Sequence, residues 1–434
     1  MGKRGADLQT RSANGVHQPV VKQAKESPGA KAVVSDGEYL TYNQLDLRSN
    51  QVAHLLIRHG IGRGDLVAVQ MERCPDLIVV LLGILKAGAA YVPIDVQSPP
   101  ARRKLILDET GAKVLLTQSF LIDHADPELF PCIDIDVPGT LEGLPETPPA
   151  VSVTPDDLMY VMYTSGTTGK PKGVMVGHAG ILNVLIWSVQ KYGFSPDDRV
   201  LFKTAYTFDA AVWEMLLPLV SGGTLVIAKP DGHRDPKYLV ELMRAERITA
   251  VFLVPSMLWH VLDEPLISEC RSLRHVFCGG ERLSPELRDR FFSKLSIPLH
   301  NLYGPTETSI FVTTWTCRPG DTEPFVPIGS PIDHVVTYVL DEAGRPVPVG
   351  GVGELFIGGV ALARGYLGKP DETAKRFIPN PDPQTRWHVI YRTGDLVRKH
   401  PGGILEYVGR VDEQLKINGN RVELVEIEEC LRRL

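Results

Sequence analysis

The chain has 434 residues and a formal net charge of -6, which is room for about two to four domains of ordinary size. Hydrophobic residues make up 43% and charged residues 23%, the balance of a globular protein with a core of useful size. The acidic excess argues against a general nucleic-acid or membrane-surface binder, since those are usually basic. Short basic clusters such as Arg102-Arg103-Lys104 and Arg432-Arg433 read as solvated helix faces.

Residues 1–30 are polar and read as a loosely ordered, flexible N-terminus. No apolar run follows the first residues, so no secretory signal is expected. Ala6 stands where a myristoylation signal needs Ser or Thr. Leu66–Val69 and Lys113–Leu116 read as buried strands, with a helix over Pro75–Ala87 between them. The apolar run Leu77–Leu85 ends at Lys86 and is too short to cross a bilayer, so it reads as a core helix.

A proline-rich stretch from Val137 to Pro155 precedes the strand Leu158–Tyr163. Alternation then resumes: strand Leu201–Lys203, helix Ala210–Val220 closed by Gly222-Gly223, and strands Thr224–Ala228, Val251–Val254 and His275–Cys278. Strand–helix alternation of this kind predicts an α/β chain whose large lobe has two helix-covered, mostly parallel sheets. Beyond Thr313 the texture turns glycine-punctuated, with strands at Val335–Leu340, Glu354–Ile357 and Ile404–Tyr407, which predicts a β-rich, barrel-like subdomain. Leu415–Leu434 reads as a strand, a glycine turn and an opening helix, the truncated start of a small C-terminal lobe. Residues 31–411 are thus expected to form the core lobe, and 412–434 the beginning of the next. Six scattered cysteines without a C-x-x-C pair fit neither a disulfide framework nor a zinc knuckle, and suit a reducing cytoplasm.

The most informative segment follows the strand Leu158–Tyr163 directly: Tyr163-Thr164-Ser165-Gly166-Thr167-Thr168-Gly169-Lys170-Pro171-Lys172-Gly173. Glycines let backbone N–H groups turn inward, hydroxyls add donors and two lysines add charge, so the loop can cradle phosphates. A solvated hairpin loop is the plain alternative. A Walker loop needs glycine at 164 and Ser or Thr at 171, where this chain has Thr164 and Pro171, so that motif fails twice.

The full string resembles the phosphate loop of the adenylate-forming, AMP-binding superfamily, and more specifically of nonribosomal peptide synthetase adenylation domains. Further segments resemble other family motifs in the expected order. They are Leu40–Leu45, Leu85–Asp95, Asn301–Glu307, Gly353–Leu355 with Ala363–Leu367, Tyr391–Leu396 and Gly409–Ile417. The resemblance implies that Thr164, Ser165, Gly166, Thr167, Thr168 and Lys172 surround the triphosphate of ATP. It implies that Thr306, Glu307 and Lys172 are catalytic, with Glu307 helping to hold Mg²⁺. Asn301 and Tyr303 are expected at the adenine, Asp395 and Arg410 at the ribose, and Asp412 at the hinge of the small lobe. The family chemistry joins a carboxylate to the α-phosphate and then transfers the acyl group to a thiol. Implied partners are therefore ATP, a small amino acid and the phosphopantetheine of a carrier domain, with neither nucleic acid nor membrane.

Asp209 separates the possible subclasses. From the residues alone it is a helix N-cap, because an apolar helix starts just after it. In peptide-synthetase adenylation domains the matching Asp pairs with the substrate's α-ammonium, a natural partner for a carboxylate in an apolar pocket. By motif alignment the pocket is lined by Ala210, Trp213, Phe252, Phe277, Gly279, Leu302, Ile310 and Phe311. With no charged group in the lining, a medium aliphatic side chain such as Val, Leu or Ile is expected, and an aromatic one stays open. The competing readings are an acyl or aryl-acid CoA ligase of the same superfamily and a non-catalytic nucleotide-binding remnant. The family's ninth and tenth motifs, with the lysine of the small lobe, have no counterpart before Leu434. The expectation is that this chain binds ATP and amino acid yet adenylates slowly or not at all.

Overall fold

The computed structural model describes residues 15–124, 130–165, 171–382, 384–412, 414–417 and 419–422. The chain divides into two compact units, one of Met1–Tyr163 with Met175–Asp231 and one of Thr164–Val174 with Gly232–Leu434.

The first unit opens with helix α1 (His17–Glu26), although its residues were expected to belong to a loose tail. Three apolar side chains, Val16, Val20 and Ala24, are buried along it and hold it down, a signal diluted by the polar residues around it. Strands β1 (Lys31–Ser35) and β2 (Glu38–Thr41) form a hairpin that feeds helix α2 (Tyr42–Arg58). The Leu40–Leu45 motif is a capping box: the Thr41 hydroxyl accepts from the Gln44 N–H, and the Gln44 side chain accepts from the Thr41 N–H. Tyr42, just inside the helix, is buried and donates its hydroxyl to the Gly223 carbonyl (2.7 Å).

Next come β3 (Leu66–Gln70), α3 (Pro75–Lys86) and β4 (Ala90–Pro93). Every residue from Leu77 to Lys86 is buried, as the expected core helix requires, and each large side chain there is worth roughly 1.5–3 kcal/mol. Lys86 is the exception in chemistry. Its ammonium donates to the Asp46 carbonyl (3.0 Å), Asp46 Oδ1 (2.6 Å) and Asn50 Oδ1 (2.8 Å) of α2, so the buried charge is paired. Gly88, at φ +79, makes the turn out of α3, and a Cβ there would press on Val151 and the Arg63 backbone.

Helix α4 (Pro100–Thr110), β5 (Leu115–Thr117), β6 (Cys132–Asp134) and β7 (Leu158–Thr164) follow. Strands β7-β4-β3-β5-β6 lie side by side in a parallel sheet. The chain passes to β8 (Lys172–Gly177), α5 (His178–Tyr192), β9 (Arg199–Phe202), α6 (Asp209–Ser221) and β10 (Thr224–Ile227). Strands β9, β10 and β1 are parallel, with β2 antiparallel at the edge.

In the second unit, helices α7 (Pro236–Ala245), α8 (Pro255–Val261) and α9 (Pro285–Lys294) alternate with β11 (Ala250–Leu253), β12 (His275–Gly279) and β13 (Leu299–Tyr303). The three strands are parallel, and β14 (Thr313–Cys317) and β15 (Ser330–Pro331) extend them antiparallel. The glycine-punctuated region gives β16 (Val335–Leu340), β17 (Val352–Gly359), β18 (Gly365–Tyr366), helix α10 (Pro370–Arg376), β19 (Phe377–Pro379), β20 (Val389–Lys399) and β21 (Leu405–Arg410). Apart from β18 these strands form one antiparallel sheet. Register shifts at Glu354/Phe356 and Leu396/Val397 curl it. A hairpin of β22 (Leu415–Ile417) and β23 (Asn420–Val422) is the described part of the expected small lobe. Among the described residues all five cysteines are free thiols, and no helix is long and apolar enough to cross a membrane.

Candidate active site

The candidate residues fall into two sets, one in each unit. In the first unit Asp209 is the first residue of α6 and Phe208 occupies the N-cap position without a side-chain capping bond, so the capping role that local sequence suggests for Asp209 is not taken up. Asp209 is half-buried, and its charge acts on Tyr91 of β4 and Tyr160 of β7. Burial, with that charge added, raises both phenols far above their usual range. The two tyrosines are register partners with ring centroids 5.6 Å apart, and neither buried hydroxyl has a protein partner. Orphaned hydroxyls of this kind cost about 1–3 kcal/mol each unless a ligand or water meets them.

Beneath Asp209, Tyr206 is anchored by donating to the Val69 (3.0 Å) and Ile94 (2.8 Å) carbonyls, and it accepts from the Met71 N–H (3.0 Å). Glu214, one turn along α6 and fully buried, accepts from the N–H groups of Lys203 (3.0 Å) and Thr204 (2.9 Å). The segment leading to Asp209 is therefore fastened at both ends. Ala210 follows Asp209 on α6. Trp213 is buried, with its indole N–H on Ser188 Oγ (3.1 Å) and its ring edge-on to Phe194.

In the second unit, Phe252 and Phe277 are paired across β11 and β12, and Gly279 and Leu302 across β12 and β13. A Cβ on Gly279 would lie 3.2 Å from the Phe252 ring and 2.8 Å from the Leu302 carbonyl, so only glycine fits between them. Phe277 stacks on His300, whose ring bonds His275 (3.0 Å) and Thr316 (2.9 Å), a polar chain beside the expected apolar lining. Ile310 and Phe311 fold back over Gly304, where a Cβ would be 2.4 Å from Phe311 Cα. Ser309 and Ile310 hold positive φ values of 59 and 76. For a β-branched residue this is strain of the kind that clusters at binding sites.

That strained turn carries Thr306 and Glu307. Glu307 is fully buried and its Oε1 accepts from the Tyr366 hydroxyl (2.9 Å). Among the described residues no three His, Cys, Asp or Glu side chains could hold a metal by themselves. One carboxylate does fit Mg²⁺, which is usually bound by one or two carboxylates together with phosphate oxygens and water. Lys172 is buried, 2.9 Å from Glu372 and 5.2 Å over the Tyr366 ring.

The remaining predicted set converges tightly. Asp395 accepts from the Tyr303 hydroxyl (2.5 Å) and from Arg410 (2.5 Å). Arg410 also grips Asp412 through two bonds (2.5 and 2.8 Å). Burial alone would raise the Asp412 carboxyl, but the Arg410 bonds hold it below the usual range. The Asn301 amide donates to the Pro327 carbonyl (2.8 Å). Thr164 Oγ1, where the glycine-rich loop begins, is buried without a protein partner. Ser165 is the last described residue before that loop, and Gly166, Thr167 and Thr168 lie outside the described residues.

Sequence reading assigned no role to Tyr91, Tyr160, Glu281, Tyr366 or Glu372. The three tyrosines sit in or beside recognisable motifs, yet nothing local marks the distant carboxylate that each one meets. Glu372 reads only as the acidic first turn of a helix.

A family model described as AMP-binding enzyme matches residues 20–367. Tyrocidine synthase 3 of Brevibacillus parabrevis is 45% identical over 421 residues, covering 97% of this chain and 6% of that protein. Phosphinothricin tripeptide synthetase PhsB of Streptomyces viridochromogenes is 46% identical over 413 residues, covering 94% of this chain and 34% of that protein. The chain thus spans only a fraction of the length of either synthetase. Among solved structures, NpsA-ThdA, an artificially fused adenylation-PCP di-domain from Klebsiella oxytoca, superposes with TM-score 0.89 at 27% identity, covering 97% of this chain and 84% of that one. This chain belongs to the AMP-binding enzyme family, among the adenylation domains of nonribosomal peptide synthetases.

Proposed function

We propose that the chain activates an α-amino acid with ATP, forming an aminoacyl adenylate for transfer to the phosphopantetheine of a carrier domain. Residues 31–411 act as the core lobe in this reading, and Asp412 is the hinge to the next. The substrate carboxylate attacks the α-phosphate, and the bond to the β-phosphate breaks to release pyrophosphate. Thr164, Ser165, Gly166, Thr167 and Thr168 supply donors to the phosphates, where charge accumulates. Thr306 lies in the same turn as Glu307, which would hold Mg²⁺; the cation would neutralise phosphate charge. Asn301 and Tyr303 flank the adenine, and Asp395 with Arg410 meets the ribose. Tyr303 and Arg410 bond the Asp395 carboxylate, which the ribose hydroxyls would share.

Asp209 carries the choice of an amino acid over another acid. The Asp209 charge acts on two buried tyrosine hydroxyls that no protein group meets, and an α-ammonium seated beside it would complement that charge. Ala210, Trp213, Phe252, Phe277, Gly279, Leu302, Ile310 and Phe311 favour a medium aliphatic side chain, because they offer no charge to a charged one. The test is binding calorimetry of the amino acids one by one, together with ATP–pyrophosphate exchange. Val, Leu or Ile should bind best. Preference for a charged amino acid would refute the pocket reading, and turnover of non-amino acids with coenzyme A would favour the CoA-ligase alternative.

A further inference from the structure

Lys172 ends the glycine-rich connection, where a lysine is expected to touch phosphate. Its surroundings describe a different task. The ammonium is 2.9 Å from Glu372 of α10, an ion pair by distance though not aligned as a hydrogen bond. The same ammonium lies 5.2 Å over the ring of Tyr366. The lysine side chain is 6% exposed and that of Glu372 25%, so the pair is shielded from salt on one side only. Tyr366 in turn donates its hydroxyl to Oε1 of the fully buried Glu307 (2.9 Å).

The backbone around this chain of contacts is fastened as well. The Leu367 N–H donates to the Gly173 carbonyl (2.8 Å), Lys369 Nζ to the Pro171 carbonyl (2.8 Å), and the Tyr366 N–H to Thr373 Oγ1 (2.9 Å). The start of β8, strand β18 and helix α10 therefore meet around one tyrosine, and that tyrosine ends on one carboxylate.

We infer that Glu372, Lys172 and Tyr366 form a positioning relay that sets the orientation of the Glu307 carboxylate, with Lys172 serving as a strut under Tyr366 rather than as a phosphate ligand. The inference rests on the proposed meeting of Glu307 with the nucleotide-bound cation. Groups that orient a metal-binding carboxylate typically change metal affinity about 10–100-fold when removed. A lysine that touched phosphate directly would act on ATP with or without the cation.

The two roles predict opposite signs for one substitution. Neutralising the partner in E372Q would free a phosphate-binding lysine and tighten ATP. In the relay it slackens Tyr366 and weakens only the magnesium-dependent part of binding. The experiment is calorimetric titration of the 434-residue chain with ATP, with and without Mg²⁺, for wild type, Y366F, E372Q and E307Q. Both Y366F and E372Q should reduce the gain in ATP affinity from Mg²⁺ by roughly tenfold and leave magnesium-free binding unchanged. Tighter magnesium-free binding in E372Q, or a full magnesium gain in both variants, overturns the relay. If E307Q itself retains the magnesium gain, the cation role of Glu307 fails first, which is a distinguishable result. Thermal unfolding of each variant separates a lost fold from a lost orientation, and E372Q alone still decides the sign should Y366F not fold.

Discussion

In the proposed reading the charge of Asp209, which already acts on Tyr91 and Tyr160, is what an α-ammonium would complement. Asp209→Asn keeps the shape and removes the charge. Losing one side of a buried charge pair costs about 2–5 kcal/mol. The variant should therefore bind its amino acid weaker by at least tenfold, while ATP binding stays as it was. The corresponding α-hydroxy acid, which carries no ammonium, should bind both proteins alike; calorimetry with the two ligands checks this. Asp395 invites a parallel argument. It already holds Tyr303 and Arg410 at 2.5 Å, and hydrogen bonds to a charged group are worth about 1.5–3 kcal/mol. Asp395→Asn should weaken ATP by roughly ten- to a hundredfold and 2′,3′-dideoxy-ATP far less. Equal losses for both nucleotides would remove the ribose from that carboxylate.

Among elements, helix α1 shows where sequence reading runs short. Its apolar positions are too few to stand out, and much of its anchorage is polar. The Val16 N–H donates to His178 Nδ1 at the start of α5 (3.2 Å), and the Gln18 amide lies 3.1 Å from His17 Nε2. Burial, then the neighbouring His178 and Lys86, lowers His17 to about 3. Burial lowers His178 to about 4, against the pull of Asp157. Both are therefore neutral in the folded chain down to acidic pH, whereas in the unfolded chain they take up protons near pH 6.5. Their contribution is fully present above about pH 6.5 and is lost as pH falls toward 4, by up to about 1.4 kcal/mol per pH unit for each histidine. Denaturant unfolding at pH 7, 6 and 5 should show the loss, and the double variant H17Q/H178N should flatten it. An unchanged slope would place the acid sensitivity elsewhere. The parallel strands and α3 were legible for the opposite reason. Continuous apolar runs such as Leu66–Val69 and Leu77–Leu85 announce burial on all sides without help from distant residues.

At the scale of the whole molecule, legibility divides between chemistry and motion. The motifs proposed to hold the nucleotide are each a contiguous string, so they can be picked out along the chain without knowledge of the fold. The contact that holds the β22–β23 turn is not contiguous at all. Glu281, just after β12, accepts from the Ser256 N–H of α8 through Oε2 (3.0 Å) and from the Gly419 N–H through Oε1 (2.7 Å). One carboxylate thus joins the β22–β23 turn to the ends of β11 and β12, which carry Phe252, Phe277 and Gly279. Gly419 sits at φ +77, and a Cβ there would be 2.7 Å from Val254 Cγ1, so the close approach admits only glycine. Glu281→Ala removes a charge-assisted bond worth about 1.5–3 kcal/mol. The undocked population of the hairpin should rise roughly ten- to a hundredfold, because local opening follows local free energy. Limited proteolysis should then cut between 413 and 422 correspondingly faster, with ATP affinity unchanged. Gly419→Ala should give the same cleavage pattern by steric means while leaving Glu281 on Ser256. If neither variant accelerates cleavage, the hairpin is held by contacts other than Glu281, and this carboxylate serves only the turn into α8.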